Sequence, residues 1–481
     1  MENLYNLLPK EVISKFIEIS AIPHGSGNTK ALSDYIVDFA QRNNYQYIQD
    51  SYNNIIIFAD GTNGYENSET VILQGHIDMV CDKTKDCHIN LDTTPITLCT
   101  DGKFIWADKT TLGGDDGIAV AYILALLDDK DIPHPPLEAI FTSDEEIGMI
   151  GARELDTSVL KGKRLINIDS EEEGVLTVSC AGGVRAKCTI PLVSSKAEGT
   201  GYLIKISGLK GGHSGVDINN NRTNANKLMA ELLYFVYKNT SFRISSAKGG
   251  SKDNTIPTMC QCVICVDNSS KEYFKKTIDK FIRQITEDKK ATEPQLSITI
   301  EECLLPQNCI DDKSTQTAIF SLLQVPDGVQ TMSSDIPNMV QTSLNLGIFE
   351  IQNNSLFMQF FVRSNVFTGK LSLVLRLQSF FEYLGGKADF YSDYPAWEYR
   401  PDSPLRKIMT DTFIELYGYT PTVTAVHAGL ECGILSAKID NMDAVSFGPD
   451  IFDVHTPNEK IKVSSIGRCW EYLKAVLENC K

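Results

Sequence analysis

Residues 71–80 read VILQGHIDMV, and the change of character at Gly75 decides how the chain is read. Val71, Ile72 and Leu73 form an apolar run of strand length, and the flanks rather than the period mark it as a buried strand. His76 and Asp78 follow two residues apart, so an extended backbone presents them on one side. Open α/β sheets bind ligands just beyond the carboxyl ends of their strands. An imidazole and a carboxylate at that place direct attention to the other strand exits.

Three more short apolar runs, NIIIFA (54–59), LEAIFT (137–142) and RLINID (164–169), share that length and those flanks. They alternate with helical spacings in PKEVISKFIEIS, TKALSDYIVDFAQRN (Leu32, Ile36 and Phe39 on one face) and DGIAVAYILALLDD. That order predicts an α/β domain on a mostly parallel sheet. From about residue 187, alternating strands such as YLIKISG and LFMQFFVRS take turns with amphipathic helices, the texture of an α+β layer. The α/β pattern then resumes with a helix near 404–417, the strand AVSFGP and a last helix. Ser464 is the expected N-cap of that helix, and Ile466, Trp470, Leu473 and Leu477 its apolar stripe. The expected organisation is a catalytic domain in two pieces, 1–186 and 398–481, around an insert at 187–397 made of one α+β body or two in tandem.

At 481 residues the chain is too long for one ordinary core. Its 42% hydrophobic and 22% charged residues are those of a soluble globular protein. A net charge of −17 disfavours nucleic acid and anionic membrane as partners. No apolar stretch approaches the ~18 residues of a spanning helix. The start MENLYNLLPK, with an early acid, is a poor signal peptide, so a cytoplasmic location is expected. Thirteen scattered cysteines read as reduced thiols. Cys260, Cys262 and Cys265 alternate as in a strand and lack a fourth ligand at zinc-finger spacing, so they read as structural.

The other strand exits are as polar as the first. TTLGGDDGIAVAY (110–122) sets Asp115 and Asp116 before a helix, FTSDEEIGMIG (141–151) sets Asp144, Glu145 and Glu146 after a strand, RLINIDSEEEG (164–174) ends in Asp169, and AVSFGPDIFDVHTPNE (444–459) delivers His455. Each has an ordinary explanation alone: Asp116 caps its helix, either histidine makes a structural hydrogen bond, and Glu171 to Glu173 form a solvated turn. Together they make an acidic cluster that would repel itself, and divalent cations are the economical remedy. Mixed imidazole and carboxylate donors suit two Zn²⁺ ions sharing one bridging carboxylate, with Mn²⁺ or Co²⁺ as alternatives.

GHIDMV, LGGDDGIA, TSDEEIGMIGA, NIDSEEEG, GLKGGHSGVDINNNRTNANKL, HAGLECG and FGPDIFDVHTPNE, in this order, resemble the M20 metallopeptidases, and within them the aminoacyl-histidine (Xaa-His) dipeptidase branch, peptidase D. The resemblance implies a zinc-peptidase catalytic domain with an inserted lid of the dimerisation type. It implies that His76, Asp115 and Asp169 hold one ion and Asp115, Glu146 and His455 the other. It makes Glu145 the general base and acid, and implies a cis peptide at Asp115–Asp116. Asp78 would orient His76 through its second ring nitrogen, a role that its spacing also suggests. His213, in GLKGGHSG, would donate to the oxyanion of the tetrahedral intermediate, although a surface-loop histidine fits the same local sequence.

A dipeptidase must also grip a free carboxylate, for which Arg363, Arg222 and Asn254 are candidates, with Gly429 in HAGLECG as a substrate contact. Arg222 serves equally well as structure before its helix. His427 and Glu431 are expected to line or support the pocket, His24 has no assigned role, and His88 and His134 read as surface residues. Asp144 is left to shape its turn or bind backbone amides. The implied enzyme is a cytosolic two-zinc dipeptidase of unblocked dipeptides such as Xaa-His, as a homodimer or as one chain with His213 acting in cis. The alternatives are another M20 activity (a broad di- or tripeptidase, an aminoacylase or a deacylase) and a non-catalytic binding protein.

Overall fold

The computed structural model describes residues 4–481. They divide into two compact units, one of residues 4–180, 399–425 and 430–481, the other of residues 181–398 and 426–429. The second unit thus begins earlier than the expected 187 and takes in a short piece of the C-terminal segment. The Ala181 amide, donating to the carbonyls of Val426 and Ala428, ties that piece in place.

In the first unit an eight-stranded sheet runs Gln46–Gln49, Ile55–Ala59, Leu137–Thr142, Val71–His76, Arg164–Asn167, Asp443–Ser446, Val175–Cys180 and Thr422–Val426. The four strands from Leu137–Thr142 to Asp443–Ser446 are parallel, and Ile55–Ala59 and Val175–Cys180 on either side of them pair antiparallel. Val71–His76 and Leu137–Thr142 are buried along their whole length, which is why they read as unbroken apolar runs. Helix Gly114–Asp128 is buried on nearly all sides, as its sequence GDDGIAVAYILALLD requires. The last helix, Val463–Asn479, buries the expected stripe of Ile466, Trp470, Leu473 and Leu477, but Lys462 rather than Ser464 precedes it as N-cap.

The second unit is built on one nine-stranded sheet. Any two tandem halves, one of the two options left by the sequence, are joined within it, because Ala247, Lys248 and Gly249 pair with Ile351, Glu350 and Phe349. Helices Ala225–Tyr237, Lys271–Lys289, Asp312–Gln324 and Phe367–Tyr383 lend Leu232, Phe274, Ile319 and Phe381 to a single core with it. None of the thirteen cysteines is in a disulfide, and Cys260, Cys262 and Cys265 are buried on one strand. No helix of the described residues is long and apolar enough to cross a membrane.

Candidate active site

The parallel strands of the first unit deliver their exits to one place. The His76 ring is buried, with Nε2 3.0 Å from Asp115 Oδ1 and 3.6 Å from Asp169 Oδ1. Asp115 turns its other oxygen to His455, whose Nε2 lies 3.0 Å from Oδ2 and 2.8 Å from Glu146 Oε1. One carboxylate therefore stands between two imidazoles, each with a second acid beside it. The Asp115–Asp116 peptide is cis. Asp116 does not cap the helix: its Oδ2 accepts the His76 amide at 3.1 Å. Gly75 makes room for it, since a Cβ there would stand 2.7 Å from that oxygen and 2.5 Å from Ala119 Cβ.

Asp78 departs from the expected contact. His76 Nδ1 is 3.0 Å from the backbone carbonyl of Asp78 and 3.5 Å from its Oδ1, so the carbonyl is the nearer partner and fixes Nδ1 as the donor. The Nε2 lone pair is left for a ligand bond. The Asp78 carboxylate instead accepts from the amides of Glu145 (2.9 Å) and Glu146 (3.3 Å) and from Ser26 Oγ (2.8 Å). It shapes the turn that carries both acids. Asp144, at φ 53°, ties that turn to the 22–28 loop by accepting the Gly27 amide at 2.7 Å.

Proton affinities follow from these contacts. Burial opposes charge on His76, but hydrogen bonds to Asp115, Asp169 and Asp78 outweigh it and hold its pKa well above the ordinary value. The carboxylates of Asp115 and Glu146 beside its ring raise His455 to about 11. Desolvation acts on half-buried Asp115 too, yet hydrogen bonds to His455 and His76 pull it below the usual carboxylate range. Burial pushes Glu145 well up and Asp169 to about 6, with neighbouring acids adding to both.

The donor set fits two divalent ions. Tetrahedral zinc with nitrogen and oxygen ligands at about 2.0–2.2 Å holds those ligands about 3.3–3.6 Å apart, which matches the 3.6 Å separation and is a little wider than those of 2.8 and 3.0 Å. Glu146 Oε1 is buried without a hydrogen-bond partner although His455 Nε2 is 2.8 Å away. A close contact out of line with an N–H is the relation of two ligands of one ion. Donor atoms of Asp115, Glu146 and His455 lie within 4.8 Å of one another, as do those of His76, Asp116 and Asp169. Asp116 is committed to the His76 amide, so Asp115, with one oxygen towards each imidazole, is the better bridge.

Next to this cluster runs a row of polar residues, of which sequence reading had named Glu431 alone. Asn167 Nδ2 donates to Gln74 Oε1 (2.6 Å), Gln74 Nε2 to Glu431 Oε2 (2.6 Å), and Thr142 Oγ1 to the same Glu431 oxygen (2.6 Å). Gln74 and Asn167 precede His76 and Asp169 by two residues, so they face the same side of adjacent strands. A polar residue inside an otherwise apolar buried run was the available signal. Glu459 was also missed; its carboxylate binds the backbone around Asp115. His24 is buried with Nδ1 against the Ile22 carbonyl, and His134, expected at the surface, is buried with Nδ1 2.7 Å from the Pro135 carbonyl. His88 is exposed.

The remaining candidates belong to the second unit. Arg363 is 4% exposed, with its guanidinium 3.9 Å from the Phe361 ring centre, Nη1 donating to Tyr394 Oη at 3.2 Å and Nε without a hydrogen-bond partner. His213 pairs in a two-residue strand with Thr255, beside Asn254, whose carbonyl accepts the Ser214 amide. His213 Nδ1 accepts from the amides of Gly215 (3.3 Å) and Val216 (3.2 Å), which places the proton of the neutral ring on Nε2. Burial, with Arg363 nearby, lowers its pKa and keeps the ring neutral. His427 lies between Ser343 Oγ (2.7 Å) and Asn365 Oδ1 (3.1 Å). Gly429 follows on the same short segment, and Arg222 precedes helix Ala225–Tyr237 with Nε buried and unpartnered.

Comparison with known proteins agrees with this architecture. The model of the family described as Peptidase family M20/M25/M40 matches residues 72–479. The chain is 33% identical over 481 residues to the cytosol non-specific dipeptidase of Escherichia coli (strain K12), a match covering 99% of both. The crystal structure of aminoacylhistidine dipeptidase from Vibrio alginolyticus has a TM-score of 0.94 at 34% identity, covering 99% of this chain and 98% of that one. The aminopeptidase PepT from Bacillus cereus ATCC 10987 shares the fold alone, with a TM-score of 0.56 at 14% identity over 98% of this chain and 99% of that one. Sequence and fold together make this chain a hydrolase belonging to peptidase family M20/M25/M40.

Proposed function

We propose that the chain is a cytoplasmic dinuclear zinc dipeptidase that hydrolyses unblocked dipeptides, Xaa-His among them. The observation that carries this reading is the Asp115 carboxylate, with one oxygen 3.0 Å from His76 Nε2 and the other 3.0 Å from His455 Nε2. His76, Asp115 and Asp169 would hold one ion, and Asp115, Glu146 and His455 the other. Bound there, the ions would polarise the scissile carbonyl and acidify a water towards a pKa of ~7. Glu145, whose half-buried carboxyl favours holding a proton, takes up the proton of the attacking water and returns it to the leaving amine. His213 donates its Nε2–H to the tetrahedral oxyanion, from the same chain or from the second chain of a homodimer. Arg363, with an unpaired Nε, receives the free carboxylate, assisted by Asn254, Arg222 and Gly429.

The two relatives differ in name over substrate range, one being called non-specific and the other an aminoacylhistidine dipeptidase. Turnover of a panel of Xaa-His and other dipeptides, tripeptides, N-acetylated dipeptides and C-amidated dipeptides tests the reading, with and without a chelator. Chelator-sensitive hydrolysis confined to dipeptides with both ends free is expected. Equal turnover of N-acetylated substrates would point to an aminoacylase, and zinc-independent hydrolysis would overturn the reading altogether.

A further inference from the structure

Glu459 stands four residues after His455 and is 2% exposed. Its Oε2 accepts from the amides of Leu112 (2.7 Å) and Gly113 (3.1 Å), and its Oε1 from those of Gly114 (2.8 Å) and Asp115 (3.3 Å). Four consecutive N–H groups converging on one anion form a nest, in which oriented amides take the place of a counter-ion. The double glycine admits the carboxylate. Gly113 adopts φ 67°, and a Cβ on Gly114 would stand 3.2 Å from Glu459 Oε1 and 2.5 Å from Ile461 Cδ1.

We propose that Glu459 is a positioning residue of the metal centre, fixing the backbone from which Asp115 reaches both imidazoles. The inference rests on the dinuclear reading above. The turn from His455 to Glu459 is closed by the Glu459 amide donating to the Thr456 carbonyl at 3.1 Å. One short segment therefore supplies an imidazole at its first residue and seats the bridging carboxylate from its last. Displacing Glu459 moves both partners of the 3.0 Å contact between His455 Nε2 and Asp115 Oδ2. A neutral isostere cannot replace it, because the amino group of a glutamine would face two of the four N–H donors.

Full-length wild-type, Glu459→Gln and Glu459→Asp proteins, stripped of metal, are titrated with Zn²⁺ against a competing chromophoric chelator, and the stripped proteins are melted alongside. Wild-type protein that takes up no zinc overturns the dinuclear reading and this inference with it. With two ions bound by the wild type, Glu459→Gln is expected to lower zinc affinity roughly 10–100-fold, the usual effect of losing a residue that orients ligands. Glu459→Asp, one methylene shorter with its charge kept, should fall between, and kcat should drop in both with KM little changed. Wild-type zinc affinity in Glu459→Gln overturns the positioning role alone. A lower melting temperature with affinity per folded molecule unchanged does the same, since it marks a merely structural carboxylate. If Glu459→Gln does not fold, Glu459→Asp decides by the same measurements.

Discussion

Asp78 offers a local perturbation whose size can be worked out from its contacts. Its side chain is 1% exposed and accepts at 2.9 Å from the Glu145 amide, 2.8 Å from Ser26 Oγ and 3.3 Å from the Glu146 amide. A hydrogen bond to an ionised group contributes about 1.5–3 kcal/mol, so the two short ones alone are worth about 3–6 kcal/mol. Breaking a buried charged network from one side costs about 3–5 kcal/mol. Asp78→Ala should therefore cost about 4 kcal/mol, and Asp78→Asn, which keeps one acceptor oxygen, about 2 kcal/mol. A chain of two units need not unfold in one step, so the loss is best read locally, by hydrogen exchange of the 141–151 peptide. At 1.4 kcal/mol per factor of ten, Asp78→Ala should strip the Glu145 and Glu146 amides of roughly a thousandfold protection. Protection within tenfold of wild type would refute the reasoning, as would Asp78→Asn losing as much as Asp78→Ala.

Glu145→Gln should keep its zinc while turnover falls about 100-fold or more, and Glu146→Gln should lose zinc; metal analysis and steady-state rates separate the two. Arg363→Met should raise KM for dipeptides roughly 30-fold, about 2 kcal/mol, and leave C-amidated analogues unaffected; an equal effect on both would remove Arg363 from carboxylate binding. Burial, aided by the charge of Arg363, depresses His427 to about 3. Between that value and the unfolded value near 6.5 the unfolded chain binds the extra proton, so stability present above pH 6.5 is lost as pH falls. The loss is on the order of 3 kcal/mol by pH 4. Urea midpoints of His427→Gln should fall less steeply between pH 6.5 and 4 than those of the wild type, and parallel curves would contradict the assignment.

The catalytic sheet could be read from sequence because its central strands are buried on both faces and end abruptly in ligand-type residues. His76 and Asp169 close their apolar runs within two residues, so burial and chemistry sit side by side in the chain. The parts that escaped depend on distant backbone. Glu459 binds amides 344 to 347 positions away, and no period or spacing marks a carboxylate whose partners are main-chain N–H groups. His134, beside two prolines, looked exposed, yet it is buried with Thr62 donating to its carbonyl at 3.0 Å. The single sheet of the second unit hangs on three residue pairs between Phe242–Gly249 and Val340–Gln352, a register that no local pattern encodes. Asp78 shows the limit of spacing rules at short range: position placed its carboxylate near His76, while its own carbonyl came closer.

The excursion of residues 426–429 into the second unit bears on how such enzymes can be recombined. A cassette cut from a relative at 181 and 398 would leave behind the piece whose carbonyls accept the Ala181 amide, together with His427 between Ser343 and Asn365. A working chimera must transplant both segments from one parent, with the strand Thr422–Val426 and the helix Glu431–Lys438 as natural splice borders. This unit is therefore inherited as two linked stretches of the gene.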